Sequence, residues 1–296
     1  MPSIEQLFDE KRVLIADGAW GTEFARHGLE PGEAPEGWVI HQPDAVRGVA
    51  QSYVDAGAEI ILTNTFGGSR FKLAKCDLED SVEEINRRAV ELSQEAAGDA
   101  ALVFASIGPT GEFMQPLGLV SEDEMIAVFA EQAEAMVAGG TDGILVETMT
   151  DLGEAKAALT AAKNAFDGPV VVSMTFDRGP KGYATMMGVT PERAAEELQA
   201  AGADIVGSNC GHGIENMIEV IGLMREATDL PLWAKPNAGM PQLVDGQTVF
   251  TQTPDETAAH FEALVEAGAH IIGGCCGTTP EHIRAMVEAR DGIFAD

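Results

Sequence analysis

The sequence predicts an α/β protein, a single (β/α)8 TIM barrel covering residues 1–296 as one domain. Three observations carry that expectation. Short apolar runs alternate with amphipathic helical stretches along the chain, the pattern of a parallel sheet. The alternation gives eight units within 296 residues, the size at which such a sheet closes into a barrel. No linker or shift of composition divides the chain. An open doubly wound sheet is the alternative, but the turn after the first apolar run, Asp17-Gly18-Ala19-Trp20-Gly21-Thr22, lacks the G-x-G-x-x-G spacing that fold uses.

The elements follow in order. Residues 13–18 read as the first strand, with a helix over 43–56 that stops at Gly57. Residues 59–67 are the second strand, with a helix near 79–97, and residues 102–108 the third. Ser121 to Glu124 reads as a capping box that opens a helix to residue 138. Strand four is 143–148 with its helix over 152–165, and strand five is 170–176. Thr190 followed by Pro191 places a cap and a first-turn proline at the start of the next helix. Strand six is 205–209 with a helix over 214–227, and strand seven is 232–237. A helix opening at Thr253 precedes strand eight, 269–273, and a last helix runs from 280 to about 289. Residues 28–37 and 179–188 read as longer loops over the barrel mouth.

Composition narrows the function. An apolar fraction of 45% suffices for one large core. Lys plus Arg number 18 against 48 Asp plus Glu, a formal net charge of −30, which disfavours nucleic acid and anionic membranes as partners. The acidic residues are dispersed, as on a solvated surface suited to a salty habitat. Four cysteines are too few for a disulfide framework. The first residues lack the basic and apolar regions of a signal peptide, and no apolar run is long enough to span a bilayer. A cytoplasmic protein is expected.

Chemistry concentrates at Gly273-Gly274-Cys275-Cys276-Gly277-Thr278-Thr279-Pro280, where the eighth strand ends. Neighbouring side chains on a regular strand point to opposite faces, so one ion would not reach both sulfurs. The surrounding glycines relax that constraint. Cys210 ends strand six in similar surroundings. Three thiolates suit Zn2+ and leave its fourth tetrahedral position open. Spacing alone leaves small buried cysteines as an equal reading; a bridge between adjacent cysteines would be strained. The barrel favours the metal, because active sites of such barrels lie at the C-terminal strand ends. Asp17, Asn64, Glu147, Asn209 and Asn237 end other strands on the same rim, as a site requires.

With these residues the chain resembles the zinc-dependent homocysteine S-methyltransferases. The likeness covers nearly the whole chain and is strongest to the homocysteine-binding barrel of cobalamin-dependent methionine synthase, with betaine–homocysteine methyltransferase more distant. It rests on Asp17-Gly18-Ala19-Trp20-Gly21-Thr22, Thr63-Asn64-Thr65-Phe66-Gly67, Ile107-Gly108-Pro109-Thr110-Gly111, Val146-Glu147-Thr148, Asn209-Cys210-Gly211, Pro236-Asn237-Ala238-Gly239 and residues 273–280, in that order. The resemblance implies Cys210, Cys275 and Cys276 as zinc ligands, with the homocysteine thiolate at the open position attacking a methyl group in line. It implies Glu147 and Asp17 for the amino group of homocysteine, and backbone N–H groups near Gly18 and Thr63 for its carboxylate. Asn237 is either a zinc ligand when substrate is absent or a hydrogen-bonding residue behind the ligands.

The methyl donor is the open point. Betaine-using relatives carry tyrosine where this chain has Thr148, and their cysteine loop differs from Gly277-Thr278-Thr279-Pro280, so the methionine-synthase type is expected. The eight units use up the 296 residues, leaving no room among them for a folate barrel or a corrinoid domain. The expectation is therefore methylcobalamin carried by a separate corrinoid protein. Betaine, S-methylmethionine or another small donor is the alternative; methylation of a different thiol, or a non-catalytic zinc barrel, are further ones. Cys76 reads as incidental, His212 as a loop residue or one behind the ligands, Met186 and Met187 as packing, and Trp20 as packing beside the substrate or plugging the mouth.

Overall fold

The computed structural model describes residues 4–244 and 247–295. Eight strands form one parallel sheet: β1 (Leu14–Ile15), β2 (Ile60–Leu62), β3 (Leu102–Ile107), β4 (Gly143–Met149), β5 (Val170–Met174), β6 (Ile205–Cys210), β7 (Leu232–Pro236) and β8 (Ala269–Ile272). From β2 to β8 each strand pairs with its successor, and β8 pairs back onto β1 with Leu14 opposite Ile271. A parallel bridge between Ala16 and Ile60 joins β1 to β2, and Asp17 N donates to Ile60 O at 2.9 Å. The circle is closed, and the fold is the (β/α)8 barrel the sequence predicts.

Two apolar layers hold it. Between strands and helices lies the larger cluster, fed by helices such as Pro43–Asp55, Val82–Ala97, Glu122–Ala138 and Leu152–Ala165. Inside the strands lies a smaller one, in which Leu62, Phe104, Leu145, Val171, Ile205, Trp233 and Ile271 point to the axis. Phe104 and Trp233 stack across it with ring centroids 6.4 Å apart. Such large rings need small neighbours. A Cβ on Gly207 would lie 2.0 Å from Trp233 O, and one on Gly143 2.6 Å from the Phe104 ring. Helix Ile4–Lys11, absent from the sequence reading, closes the bottom by adding Ile4 and Leu7 to this inner cluster.

Capping chemistry matches the sequence. Ser121 and Thr253 form full capping boxes with Glu124 and Glu256, and the Thr190 side chain caps the helix that begins at Pro191. Strand bounds differ more. The run 59–67 is strand only over Ile60–Leu62, because beyond it side chains replace the ladder: Leu62 N donates to Asp17 Oδ2, and Ser106 N to Thr63 Oγ1. Within the expected loop 179–188 the chain instead forms a hairpin, Asp177–Gly179 with Gly182–Ala184. A second hairpin, Gln242–Val244 with Gln247–Val249, follows β7. The helix opening at Thr253 breaks at His260 into Pro254–Ala259 and Phe261–Glu266. Among the described residues no helix is long and apolar enough to cross a membrane.

Candidate active site

Side-chain alternation builds the floor of the site. On β3 Phe104 points inward, so two residues on Ser106 does too; the same step takes Leu145 to Glu147, Val171 to Ser173, Gly207 to Asn209 and Trp233 to Lys235. All five polar residues are buried. An apolar barrel interior thus turns polar in its last layer, at the C-terminal rim.

Cys210, Cys275 and Cys276 meet above that layer. All three are free, their sulfurs lie within 4.8 Å of one another, and Cys210 Sγ is 3.0 Å from Cys275 Sγ. Cys210 ends β6 in the left-handed region, φ 63°, which turns its side chain off the strand's alternation. Beyond β8 the double cysteine lies in a loop tied to β7: Cys275 N donates to Pro236 O at 2.8 Å, and Ala238 N to Cys276 O at 2.9 Å. Of the glycines expected to free this loop, only Gly277 has a positive φ, 82°. Gly273 and Gly274 are needed for room, since a Cβ would lie 2.7 Å from Asp17 O or 2.3 Å from Thr278 Oγ1.

Four tetrahedral thiolates at about 2.3 Å from an ion sit roughly 3.8 Å apart. The observed sulfur cluster meets that spacing after an opening of less than ~1 Å between Cys210 and Cys275. Hydrogen bonds from Cys210 and then Cys275 hold Cys276 down to about 3, while its bonds to Cys275 and Cys276 push Cys210 up. The triad can therefore hold a metal cation.

A cavity of about 440 Å3 opens beside the sulfurs, lined among others by Gly18, Trp20, Thr63, Glu147, Lys235 and the three cysteines. That volume suits a small metabolite. Glu147 receives Ser106 Oγ at 2.5 Å. Burial raises its pKa to about 7, against the attraction of Lys235. Thr63 and Gly18 line the cavity.

Asp17 is fully buried. Its Oδ1 accepts from Lys235 Nζ at 2.5 Å; its Oδ2 accepts from Trp20 Nε1 at 2.6 Å and Leu62 N at 2.8 Å. Both oxygens are engaged, and Asp17 underpins the cavity from behind Lys235 and Trp20. Asn237 donates Nδ2 to Gly211 O at 2.8 Å, while its buried Oδ1 has no partner. Asn209 supports the cysteines: its Nδ2 lies 3.6 Å from Cys210 Sγ and 3.8 Å from Cys275 Sγ.

Sequence reading missed two wall residues. Lys235 carries a signal in its parity with the inward Trp233. Glu36, in the loop before β2, gives none; it is buried, accepts from Gly67 N at 2.6 Å, and is raised by desolvation. The remaining residues resolve simply. Asn64 lines the cavity and donates to Pro35 O. Cys76 is exposed, and His212 faces Asp177 at 3.4 Å, away from the sulfurs. Met186 and Met187 are exposed rather than packed.

The family model described as homocysteine S-methyltransferase matches residues 14–290. The methionine synthases of Mycobacterium leprae (strain TN) and Mycobacterium tuberculosis (strain ATCC 25618 / H37Rv) are each 30% identical over 297 residues, covering 94% of this chain. The chain spans about a quarter of their length, 24% and 25%. Crystal structures of the homocysteine methyltransferase MmuM from Escherichia coli superpose with TM-scores of 0.82 in oxidised form and 0.80 in metallated form. These cover 98% and 95% of this chain and 100% and 97% of theirs, at 23% identity, a likeness of fold. With the family model matched from β1 to the last helix, the chain belongs to the homocysteine S-methyltransferase family.

Proposed function

We propose that the chain is one homocysteine-binding barrel domain that methylates the homocysteine sulfur to methionine with Zn2+ held by Cys210, Cys275 and Cys276. One observation carries the reading: three free cysteines from two strand ends converge on a cavity that also holds a buried carboxylate, Glu147. Thiolate-only donor sets favour zinc among common divalent ions. Zn2+, when bound there, would supply a substrate thiolate at neutral pH. The orphan Oδ1 of Asn237 would complete the ligand set before substrate arrives.

The chain's own residues do the rest. Glu147, ionised, accepts the ammonium of homocysteine and fixes its orientation toward the sulfurs. Backbone N–H groups near Gly18 and Thr63 receive the carboxylate, and Asp17 holds Lys235 and Trp20 in place around them. Asn209 orients Cys210 and Cys275. Fixing sulfur and backbone of the amino acid together makes the methyl transfer in line and effectively unimolecular.

The donor in this reading is a methyl-corrinoid on another protein. Support comes from Thr148, from the Gly277-Thr278-Thr279-Pro280 loop, and from the mouth itself. Exposed apolar side chains gather on the loops around it: Phe113, Leu117 and Leu119 after β3, Met186 and Met187 after β5, Met240 and Leu243 after β7. On a chain with net charge −30 such a collar suits a docked protein. A second reading is a small onium donor, favoured by the Trp20, Phe24 and Phe66 rings and the Glu36 carboxylate along one cavity wall. The test is methionine formation by zinc-loaded protein from homocysteine. Turnover with a methylated corrinoid protein supports the first donor; brisk turnover with betaine or S-methylmethionine alone supports the second. No turnover with any donor refutes the activity.

A further inference from the structure

His282 sits at the third position of the last helix, Pro280–Ile293, and is 5% exposed. It completes a capping box there: Thr279 N donates to its Nδ1 at 3.2 Å. In the boxes opened by Ser121 and Thr253 the same position is glutamate, Glu124 and Glu256. A carboxylate is the usual partner at that place. What the imidazole adds is a second ring nitrogen: Nε2 lies 3.0 Å from Gln252 O. An amide N–H only donates and a carbonyl only accepts, so Nδ1 is bare and Nε2 carries the proton. One neutral tautomer satisfies both contacts, and burial, which lowers the pKa of His282, favours it.

Those two contacts close a ring. It runs from Gln252 N to Ala238 O at 3.1 Å, from Ala238 N to Cys276 O at 2.9 Å, and along the chain from Cys276 to Thr279. Two stretches meet in it. One is the loop of the double cysteine after β8; the other is the segment after β7 that carries Asn237 with its orphan Oδ1. They are pressed together, since a Cβ on Gly277 would lie 2.3 Å from Phe250 Cβ. We propose that His282 is a positioning residue of the metal centre: through Gln252 it locks the Cys275-Cys276 loop to the Asn237 loop and so sets where their donor atoms stand. This rests on the zinc reading above. Without the Nε2 donor the ring opens at Gln252 O, and the loop is left to the backbone bonds at Cys275 and Cys276. A donor set works when its support holds it to within about 0.5 Å of the productive geometry, and the closed ring supplies that support.

The test is zinc affinity, measured by chelator competition on the full chain, together with the visible ligand-field bands of the cobalt-substituted protein, which report coordination geometry. His282→Glu keeps the helix cap and loses the donor. It should bind zinc about 10- to 100-fold more weakly and shift the cobalt bands. His282→Asn is measured beside it, because a carboxylate facing Gln252 O disturbs the loops by its charge. Its neutral amide accepts from Thr279 N but is too short to span to Gln252, and the same loss is expected. His282→Gln carries acceptor and donor on a longer amide and should restore most of the affinity. Ala289→Gly weakens the same helix away from the ring and should leave affinity and bands unchanged. Wild-type affinity and bands in both His282→Glu and His282→Asn overturn the inference and reduce His282 to a helix cap. A loss in His282→Gln or Ala289→Gly as large as in those two also overturns it, because the Nε2 donor is then not what matters. Wild-type protein that binds no zinc overturns the zinc reading itself.

Discussion

Asn209 and Thr148 clasp each other at two points: Thr148 N donates to Asn209 Oδ1 at 2.8 Å, and Asn209 Nδ2 donates to Thr148 Oγ1 at 2.7 Å. The backbone donor fixes which end of the amide faces which way. Thr148 has φ 61°, at the register shift between β4 and β5, and Cys210, next to Asn209, has φ 63°. Left-handed conformations of this kind cost a non-glycine residue of order 1 kcal/mol each and persist when surroundings hold them. The clasp, with Ser173 Oγ donating to the same Oδ1 at 2.7 Å, is that hold. Asn209→Ala should lower metal affinity ~10- to 100-fold, as loss of support behind a ligand does. Competition with a chelator would measure it; unchanged affinity would reduce Asn209 to a packing residue.

Metal content tests the ligands directly. Cys275→Ser with Cys276→Ser should abolish zinc binding and methyl transfer while the far-ultraviolet spectrum of the barrel persists. Cys76→Ser, at an exposed thiol, should change neither. Full zinc occupancy in the double variant would refute the assignment.

Glu147 gives a pH signature. Its pKa is raised to about 7, so below that value it is a neutral acid and a poor partner for ammonium. Homocysteine affinity should therefore rise with pH through about 7 and flatten above it, provided metal occupancy is held constant. The stability sign is opposite. Between the ordinary carboxyl value of 4.5 and about 7 the folded state holds a proton the unfolded state has lost, so stability from this group falls as pH rises. Glu147→Gln should raise the melting temperature at pH above about 7, lose that gain toward 4.5, and weaken homocysteine ~10- to 100-fold. An affinity independent of pH would place the ammonium elsewhere.

Barrel packing gives a paired test. Gly207→Ala would drive a Cβ to 2.0 Å from Trp233 O, a backbone atom that cannot step aside, and should cost several kcal/mol or prevent folding. Gly222→Ala, in helix Ile214–Arg225 with nothing within 4 Å, should gain ~0.5–1 kcal/mol. Chemical denaturation of both distinguishes interior constraint from helix propensity.

Much of this was legible in the residues. Apolar runs and helix caps report local preferences, so the strands, most helices and the closed barrel follow from them. The cysteines and Glu147 were legible because strand ends of a barrel share a rim. Asp17 was legible as a site residue but not in its orientation, because its partner Lys235 lies 218 residues along the chain. Glu36 was not legible, since its burial depends on how an irregular loop folds over the mouth. The two hairpins were missed because their strands are three residues each, too short for alternation to show.

The closing pair of strands has a consequence for biosynthesis. β1 is made before every other strand of the barrel, yet one of its neighbours is β8 and the counter-ion of Asp17, just beyond its end, is on β7. Until β8 emerges the nascent sheet keeps two raw edges, and until β7 emerges the buried Asp17 has no counter-ion. Chains stalled or cleaved before residue 269 should thus be sticky and chaperone-dependent, whatever share of their helices has formed.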